Sequence, residues 1–438
     1  MPRIDRRRFL QTGMATAAAL TTPIAFPRAF GPRSAHAAGP VDPIFVFVQL
    51  KGGNDGLNTV IPMDDTGPVP QRSLYEAARP NIQVPTSALA ATQIDNDPEK
   101  GTALALHPSM PEMKGLYDQG KVAVLNGIGY PGQNLSHFRS EDFWLGGKIS
   151  GPFSGGWLGH YLDANYTPSD MVALDAAKTM SPAFFSETAN VLAVKKISQF
   201  VLPTDDLYPD TAAKRAALNA AYAAEADPAL TDGLQLSVGT SGDVLLGKID
   251  EFAAVETRWG ANVGNANGRL ADRLLEIASV IRHDVLVGPP LGVRYFHCEE
   301  GGFDTHTAQG SLTGRQPDLL AKVSKSLAAF WQDMIDIGVQ DRVLMLTVSE
   351  FGRRVAENGG QGTDHGAASC MFAIGDTVQG GVHGTVPALD DLERGNLKFH
   401  TDFRRVYATV IDRWLQSPGA HTALLPDAPH AMLDFLPS

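Results

Sequence analysis

Cysteine is nearly absent from this chain: 438 residues hold two, Cys298 and Cys370, and no Cys-x-x-Cys pair. A disulfide framework is therefore excluded, and at most one bridge is open to it. Beyond the N-terminal segment no run approaches the roughly 18 apolar residues of a transmembrane helix, so no membrane-spanning segment is expected in the mature protein. Basic charge is also scarce, with 36 Lys and Arg against 48 Asp and Glu, a formal charge of −12. The first 37 residues hold six Arg and one Asp, a net +5, so the remainder stands at −17. Such a surface is unsuited to nucleic acid and is not drawn to anionic membranes. Internal repeats are missing too.

The N-terminus, by contrast, carries an address. Arg6-Arg7-Arg8-Phe9-Leu10 has the twin-arginine pattern, an Ala- and Thr-rich stretch runs on to about Phe26, and Ala35-His36-Ala37 has the small-x-small form of a signal peptidase site. The apolar stretch is short and broken by Pro23 and Pro27, which fits an export signal and not an anchor. The expected organisation is a signal peptide over residues 1–37 and one α/β domain over 38–438, periplasmic or secreted. The translocon of the twin-arginine route is the expected partner during export. That route carries folded proteins, so a metal site would be filled in the cytoplasm.

Short, almost continuously apolar runs at Ile44–Leu50, Val122–Ile128, Val293–Cys298, Val343–Val348 and Met371–Ile374 read as buried parallel strands. Helical spacing marks Met110–Gln119, Leu319–Ile337 and Phe403–Leu415, the last with Thr401 and Asp402 as caps. The alternation implies a doubly wound, mostly parallel sheet flanked by helices. Roughly residues 203–283, Ala-rich, read as a helical insertion. Ligands of such sheets bind beyond the carboxyl ends of the strands. There lie Lys51-Gly52-Gly53-Asn54-Asp55-Gly56, Asn134-Leu135-Ser136-His137, Gly302-Phe303-Asp304-Thr305-His306, Ser349-Glu350 and Thr363-Asp364-His365-Gly366. Carboxylates and imidazoles beside glycines suit a divalent metal such as zinc, manganese or iron, because the glycines let loops turn sharply onto one ion. Asp304, His306, Glu350, Asp364 and His365 are the ligand candidates from residue type alone. His137 reads either as a ligand or as a surface residue of a helix start. Ser136 fits a helix N-cap. His107, His297 and His400 read as structural, and His383 as a lone loop histidine.

The runs FVQLKGGNDGLNTVIP, LHPSMPEM, NLSHFRSEDFW, GGFDTH, SEFGR, GTDHG and TDFRRVYATVIDRWL together resemble a large bacterial family of exported proteins of unknown function, the domain-of-unknown-function 1501 family. That family is grouped with the alkaline phosphatase and sulfatase superfamily. The resemblance implies an alkaline-phosphatase-like fold and a metal-dependent hydrolase of phosphate or sulfate esters, with a small anionic ester as substrate and a divalent ion as cofactor (zinc, manganese, iron or calcium). It aligns Asp55 or Asn54 with the first metal ligand, Ser136 with the nucleophile, Asp304 and His306 with one metal group, and Asp364 and His365 with another. Arg353 is expected to bind an anionic group or to pair with a carboxylate. Two departures matter. Glu350-Phe351 stands where the superfamily usually has Asp-His, which leaves one metal as open as two. No Cys-x-Pro-x-Arg signature occurs, which argues against a formylglycine sulfatase. The alternative function is a non-catalytic exported protein of the same fold with a degenerate metal or ligand site.

Overall fold

A computed structural model describes residues 42–202, 210–225, 233–256, 262–266, 268–425 and 431–438. The twin-arginine pattern and the peptidase site lie outside the described residues, as do parts of the segment expected as a helical insertion. At the centre is β1 (Ile44–Lys51), whose alternate side chains serve two cores. Val46, Val48 and Leu50 face one, Phe45 and Phe47 the other, as the two-residue period of a strand dictates. Burying each of these side chains contributes roughly 1.5–3 kcal/mol.

β1 pairs in parallel with β7 (Tyr295–Gly301) on one side and β8 (Val343–Val348) on the other. The sheet continues past β7 to β5 (Ala173–Asp175) and β6 (Val191–Ala193), both parallel. Past β8 come β11 (Ser369–Gly375) and β4 (Val122–Gly129), with β12 (Gly381–Gly384) and β15 (Thr401–Asp402) beside β4. Among the described strands of this sheet only β11 runs against the rest. The run Met371–Ile374 reads as a parallel strand in the sequence, and the structure corrects this. A hairpin of β9 (Gly352–Glu357) and β10 (Thr363–Gly366) turns the chain round after β8, so β11 returns antiparallel. Burial on both faces makes either direction look alike in sequence. β7 extends beyond the expected Cys298, because Glu299 and Glu300 are paired with Arg273 and with the Leu270 amide and so can lie in the strand.

The first core packs α2 (Pro111–Asp118), α7 (Arg269–Arg282) and α8 (Arg315–Ile337) on one face of the sheet. The second packs α3 (His137–Gly146), α4 (Trp157–Asn165), α9 (Phe403–Thr409) and α10 (His421–Leu424) on the other. In it Trp157 stacks on Tyr407 at 4.6 Å and Phe47 meets both rings edge-on. The α/β, doubly wound, mostly parallel class is thus what is observed. Asp402 caps α9, its carboxylate accepting from the Arg404 amide at 3.0 Å. A small third core joins α1 (Gln71–Ala78), the pair β2 (Val60–Pro62) and β3 (Leu104–Leu106), and the end of the pair β13 (Leu392–Glu393) and β14 (Asn396–Leu397). Of the segment read as a helical insertion, α5 (Thr211–Glu225), α6 (Gly233–Ala253) and the whole of α7 are described. Among the described residues no helix is long and apolar enough to cross a membrane. Cys298 and Cys370 are both free and buried, and burial raises both thiols, Cys370 to about 12.

Candidate metal centre

Because β1, β4, β7 and β8 run one way and β11 the other, the loop after each of the four and the start of β11 meet at one edge. Two glycines after β1 make the meeting close. Gly52 and Gly53 have φ of +122° and +76°, and a Cβ at Gly52 would overlap the Asp304 backbone nitrogen.

Three side chains converge there. One ligand atom each from His137, Asp304 and His365 lies within 4.8 Å of the others. Asp304 is the hub. Its Oδ1 is 3.2 Å from His365 Nε2 and 3.0 Å from His306 Nε2, and its Oδ2 is 3.5 Å from His137 Nε2. His306 Nε2 and His365 Nε2 are themselves 3.0 Å apart. The far nitrogens of two of these rings are committed elsewhere. His365 Nδ1 is 2.7 Å from the Leu135 carbonyl oxygen, and His137 Nδ1 is 2.7 Å from Glu350 Oε1. Both partners only accept, so in each ring Nδ1 carries the proton. In neutral imidazole the lone pair is then on Nε2, and both lone pairs face one carboxylate. Lone pairs and anionic oxygens repel unless a cation lies between them, and outer partners that fix the tautomer in this way are typical of metal-binding histidines.

Charge follows the same layout. Burial disfavours the Asp304 anion, but the Arg353 guanidinium, with His306 and His365, outweighs it and holds the carboxyl down at about 2. Burial, reinforced by the Arg353 charge, lowers His365, which favours its neutral form. The Glu350 hydrogen bond raises His137. Phe351, fully buried, packs its ring 4.8 Å from His137 and 4.6 Å from His365 and so holds both imidazoles in place.

The other sequence candidates divide. Glu350 is 1% exposed and stands behind His137, where its carboxylate also accepts from the Gly52 amide at 2.9 Å; it orients a ligand. Arg353 lies opposite His365 in the β9–β10 hairpin, so the two share a face. Its guanidinium is 0% exposed and donates to the carbonyls of Gly52, Gly53, Phe303 and Thr363 and to Asp304 Oδ1 at 2.7 Å. It pairs with a carboxylate and has no open face for a substrate anion. Asp364 accepts from Asn358 at 3.0 Å and is 3.6 Å from His306 Nδ1, so it backs His306 and stays outside the cluster. Asp55, expected as the first ligand, is held apart. It is 1% exposed, both its oxygens accept from Arg79 at 2.6 and 3.0 Å, and Gln309 donates to it at 2.6 Å. Ser136 is exposed at the N-terminus of α3, and its hydroxyl makes no cap hydrogen bond. Leu135 and Phe351 escape the sequence reading as parts of the site, and Arg79 and Gln309 as the partners that take Asp55 out of it. Leu135 acts through its backbone and Phe351 through its shape, and neither leaves a mark in residue type. His383 lies on β12 and bonds the Gln379 carbonyl, and His107 bonds that of Ser311.

The model of the family described as "Protein of unknown function (DUF1501)" matches residues 44–416. The chain belongs to the DUF1501 family. No curated protein matches this DUF1501 chain. Among solved structures, it is similar to the PsFucS1 sulfatase from Pseudoalteromonas sp., at 9% identity over 90% of this chain and 70% of that one, TM-score 0.36. It is also similar to the lipoteichoic acid synthase LtaP from Listeria monocytogenes, at 9% identity over 83% and 76%, TM-score 0.32. A third is the phosphonate monoester hydrolase SpPMH from Silicibacter pomeroyi, at 9% identity over 89% and 78%, TM-score 0.31. At scores this low the functional reading of the DUF1501 chain rests on its own geometry.

Proposed function

We propose that this protein is an exported hydrolase of phosphate or sulfate esters that works with a divalent ion held by His137, Asp304 and His365, with His306 beside them. The observation that carries the reading is the pair of tautomers set by Leu135 and Glu350, which aims two nitrogen lone pairs at the Asp304 carboxylate. The donor set fits such an ion. Two or three imidazole nitrogens and one carboxylate suit zinc, manganese or iron, whereas calcium takes six to eight oxygens. When bound, the ion supplies positive charge against which an anionic ester group is drawn and its departing oxygen stabilised. Arg353 neutralises and positions Asp304. Glu350 and Leu135 orient the two imidazoles. Ser136 is the nucleophile of this reading, supported by an exposed hydroxyl not spent on a cap, one residue from His137. Export by the twin-arginine route belongs to the same proposal and is motivated by Arg6-Arg7 and Ala35-His36-Ala37. Changing Arg6 and Arg7 to Lys should leave unprocessed precursor in the cytoplasm, and normal processing of that variant sinks the assignment.

One observation favours a second reading, a non-catalytic ligand-binding protein of the same fold. With Asp55 tied to Arg79 and Glu350 turned behind His137, fewer ligands remain than a two-ion site needs. Metal content of protein purified without chelators or metal resin, with turnover on a panel of phosphate and sulfate esters, separates the two. About one tightly held ion with ester turnover is expected of the hydrolase. A held ion with no turnover across the panel favours the second reading, and no affinity for any ion removes the metal centre.

A further inference from the structure

Beside the metal cluster lies a cleft of about 680 Å³ that the chemistry above does not use. The two share a wall. Leu135, whose carbonyl accepts the hydrogen bond from His365 Nδ1, lines the cleft, as does Ala367 at the turn between β10 and β11. Three cations, Arg354, Arg394 and Lys398, line it against a single carboxylate, Glu393. This is out of character for a chain of net charge −12. Lys398 is paired with Asp391. The guanidiniums of Arg354 and Arg394 are not: neither makes a hydrogen bond or ion pair to a described residue, and both residues are exposed.

Backbone geometry brings these two arginines together. Arg354 follows Arg353 on β9, so it points to the opposite face of the hairpin, away from the cluster. Arg394, at a φ of +53°, sits in the tight turn between β13 and β14. That turn rests on β9, where the Val355 amide donates to the Gly395 carbonyl at 3.5 Å. Arg354 and Arg394 each precede one of these two bonded residues. The rest of the wall is mixed, with Tyr130, Leu397 and Phe399 beside Gln133 and Asn396, which suits the rings and hydroxyls of a carbohydrate or polyol backbone better than a purely apolar ligand.

We infer that this cleft binds the repeated anionic groups of an oligomeric ligand, a sulfated or phosphorylated chain, with Arg354 and Arg394 as the anion clamps. Planar guanidinium forks match sulfate and phosphate bidentately, and two unpaired forks in one concavity select for a ligand with more than one such group. That this chain is the substrate, one of its esters presented to the cluster while its neighbours lie in the cleft, rests on the hydrolase reading above.

The test measures binding, not turnover, on the full protein. The probes are a size-fractionated short dextran sulfate and a short-chain inorganic polyphosphate, with neutral dextran as control, by calorimetry at low and at moderate salt. Wild type should bind at least one of the charged probes, more weakly as salt rises, and not the neutral one. The double variant Arg354→Ala with Arg394→Ala should bind at least tenfold more weakly, with metal content and melting temperature unchanged. Lys178→Ala with Lys195→Ala removes the same charge near the β5–β6 end of the sheet and should change binding less than twofold. Preference between the probes tells sulfate from phosphate. Equal weakening by both double variants, no effect of the arginine pair, or no binding of either charged probe to wild type overturns the inference. None of those results touches the metal centre. Arginine-dependent binding without turnover on the ester panel would keep the cleft as an anion site and sink the hydrolase reading instead.

Discussion

Asp55 and Asp304 invite comparison. Each follows a glycine pair at the carboxyl end of a central parallel strand, and each sits at the same edge of the sheet. Their surroundings are opposite. Asp55 is buried, and Arg79 with Gln309 satisfies its oxygens. Asp304 is 43% exposed and is ringed by three imidazoles as well as Arg353. The first is a closed ion pair whose value is internal to the fold. The second keeps attraction in reserve for a cation, because two of its imidazole neighbours present lone pairs. What separates a structural carboxylate from a ligand here is whether its neighbours have already spent its charge.

The largest expected effect tests the closed half. Arg79→Ala leaves Asp55 buried and unpaired and should destabilise the protein by about 3–5 kcal/mol, read by urea denaturation, with metal content per folded molecule unchanged. Were the variant to lose metal while staying folded, Asp55 would belong to the metal centre after all.

His365→Ala tests the open half. It should abolish metal retention while shifting metal-free stability by no more than about 1 kcal/mol. In wild type, metal at a hundred times its dissociation constant should add about 2.7 kcal/mol, and this increment should vanish in the variant. Equal thermal shifts on adding metal to both proteins would remove His365 from the ligand set.

Glu350→Gln sharpens the contrast at the outer partner. Loss of the group that orients His137 should weaken metal binding by roughly 10–100-fold. It also has a pH signature. Glu350 raises His137 above its ordinary 6.5. In metal-free protein, the stability from this pair is full below 6.5 and is lost as pH rises through the raised value. Metal affinity should climb over that same window as the competing proton leaves. Glu350→Gln should shift both transitions down toward 6.5, and unchanged pH profiles would show that the pair is not what tunes His137. At the acid end the sign reverses for Asp304. Its contribution is present above the ordinary carboxylate value of 3.8 and is lost as pH falls toward about 2.

The smallest effect on stability comes from Ser136→Ala. The hydroxyl makes no cap bond, so denaturation should move by less than about 0.5 kcal/mol. Any ester turnover should nevertheless disappear, because the bond-forming oxygen is gone. Turnover that persists at the wild-type rate would take the nucleophile role away from Ser136.

Much of the fold can be read locally. Central strands stand out as apolar runs, α8 as an amphipathic repeat, and α9 by its capping Asp402. The reversed β11, the polar β9–β10 hairpin and the short outer strands β5 and β6 do not stand out. A run of six buried residues has no direction of its own, and three-residue strands carry too few side chains to show a period. At the site, residue type nominates Asp304, His306 and His365, yet it nominates Glu350 and Asp364 just as strongly, and the family resemblance adds Asp55.

The sequence by itself determined the inventory: which strands are central, which loops carry glycine, and that carboxylates and imidazoles gather beyond one end of the sheet. Those follow from period, side-chain volume and backbone freedom, all properties of neighbours in the chain. Only the tertiary structure decided the roles. Arg79 reaches Asp55 from 24 residues away, Leu135 fixes the tautomer of His365 across 230, and Glu350 that of His137 across 213. A charge or a lone pair answers to whatever lies within a few ångströms, and in a folded chain that is set by topology and not by the order of residues.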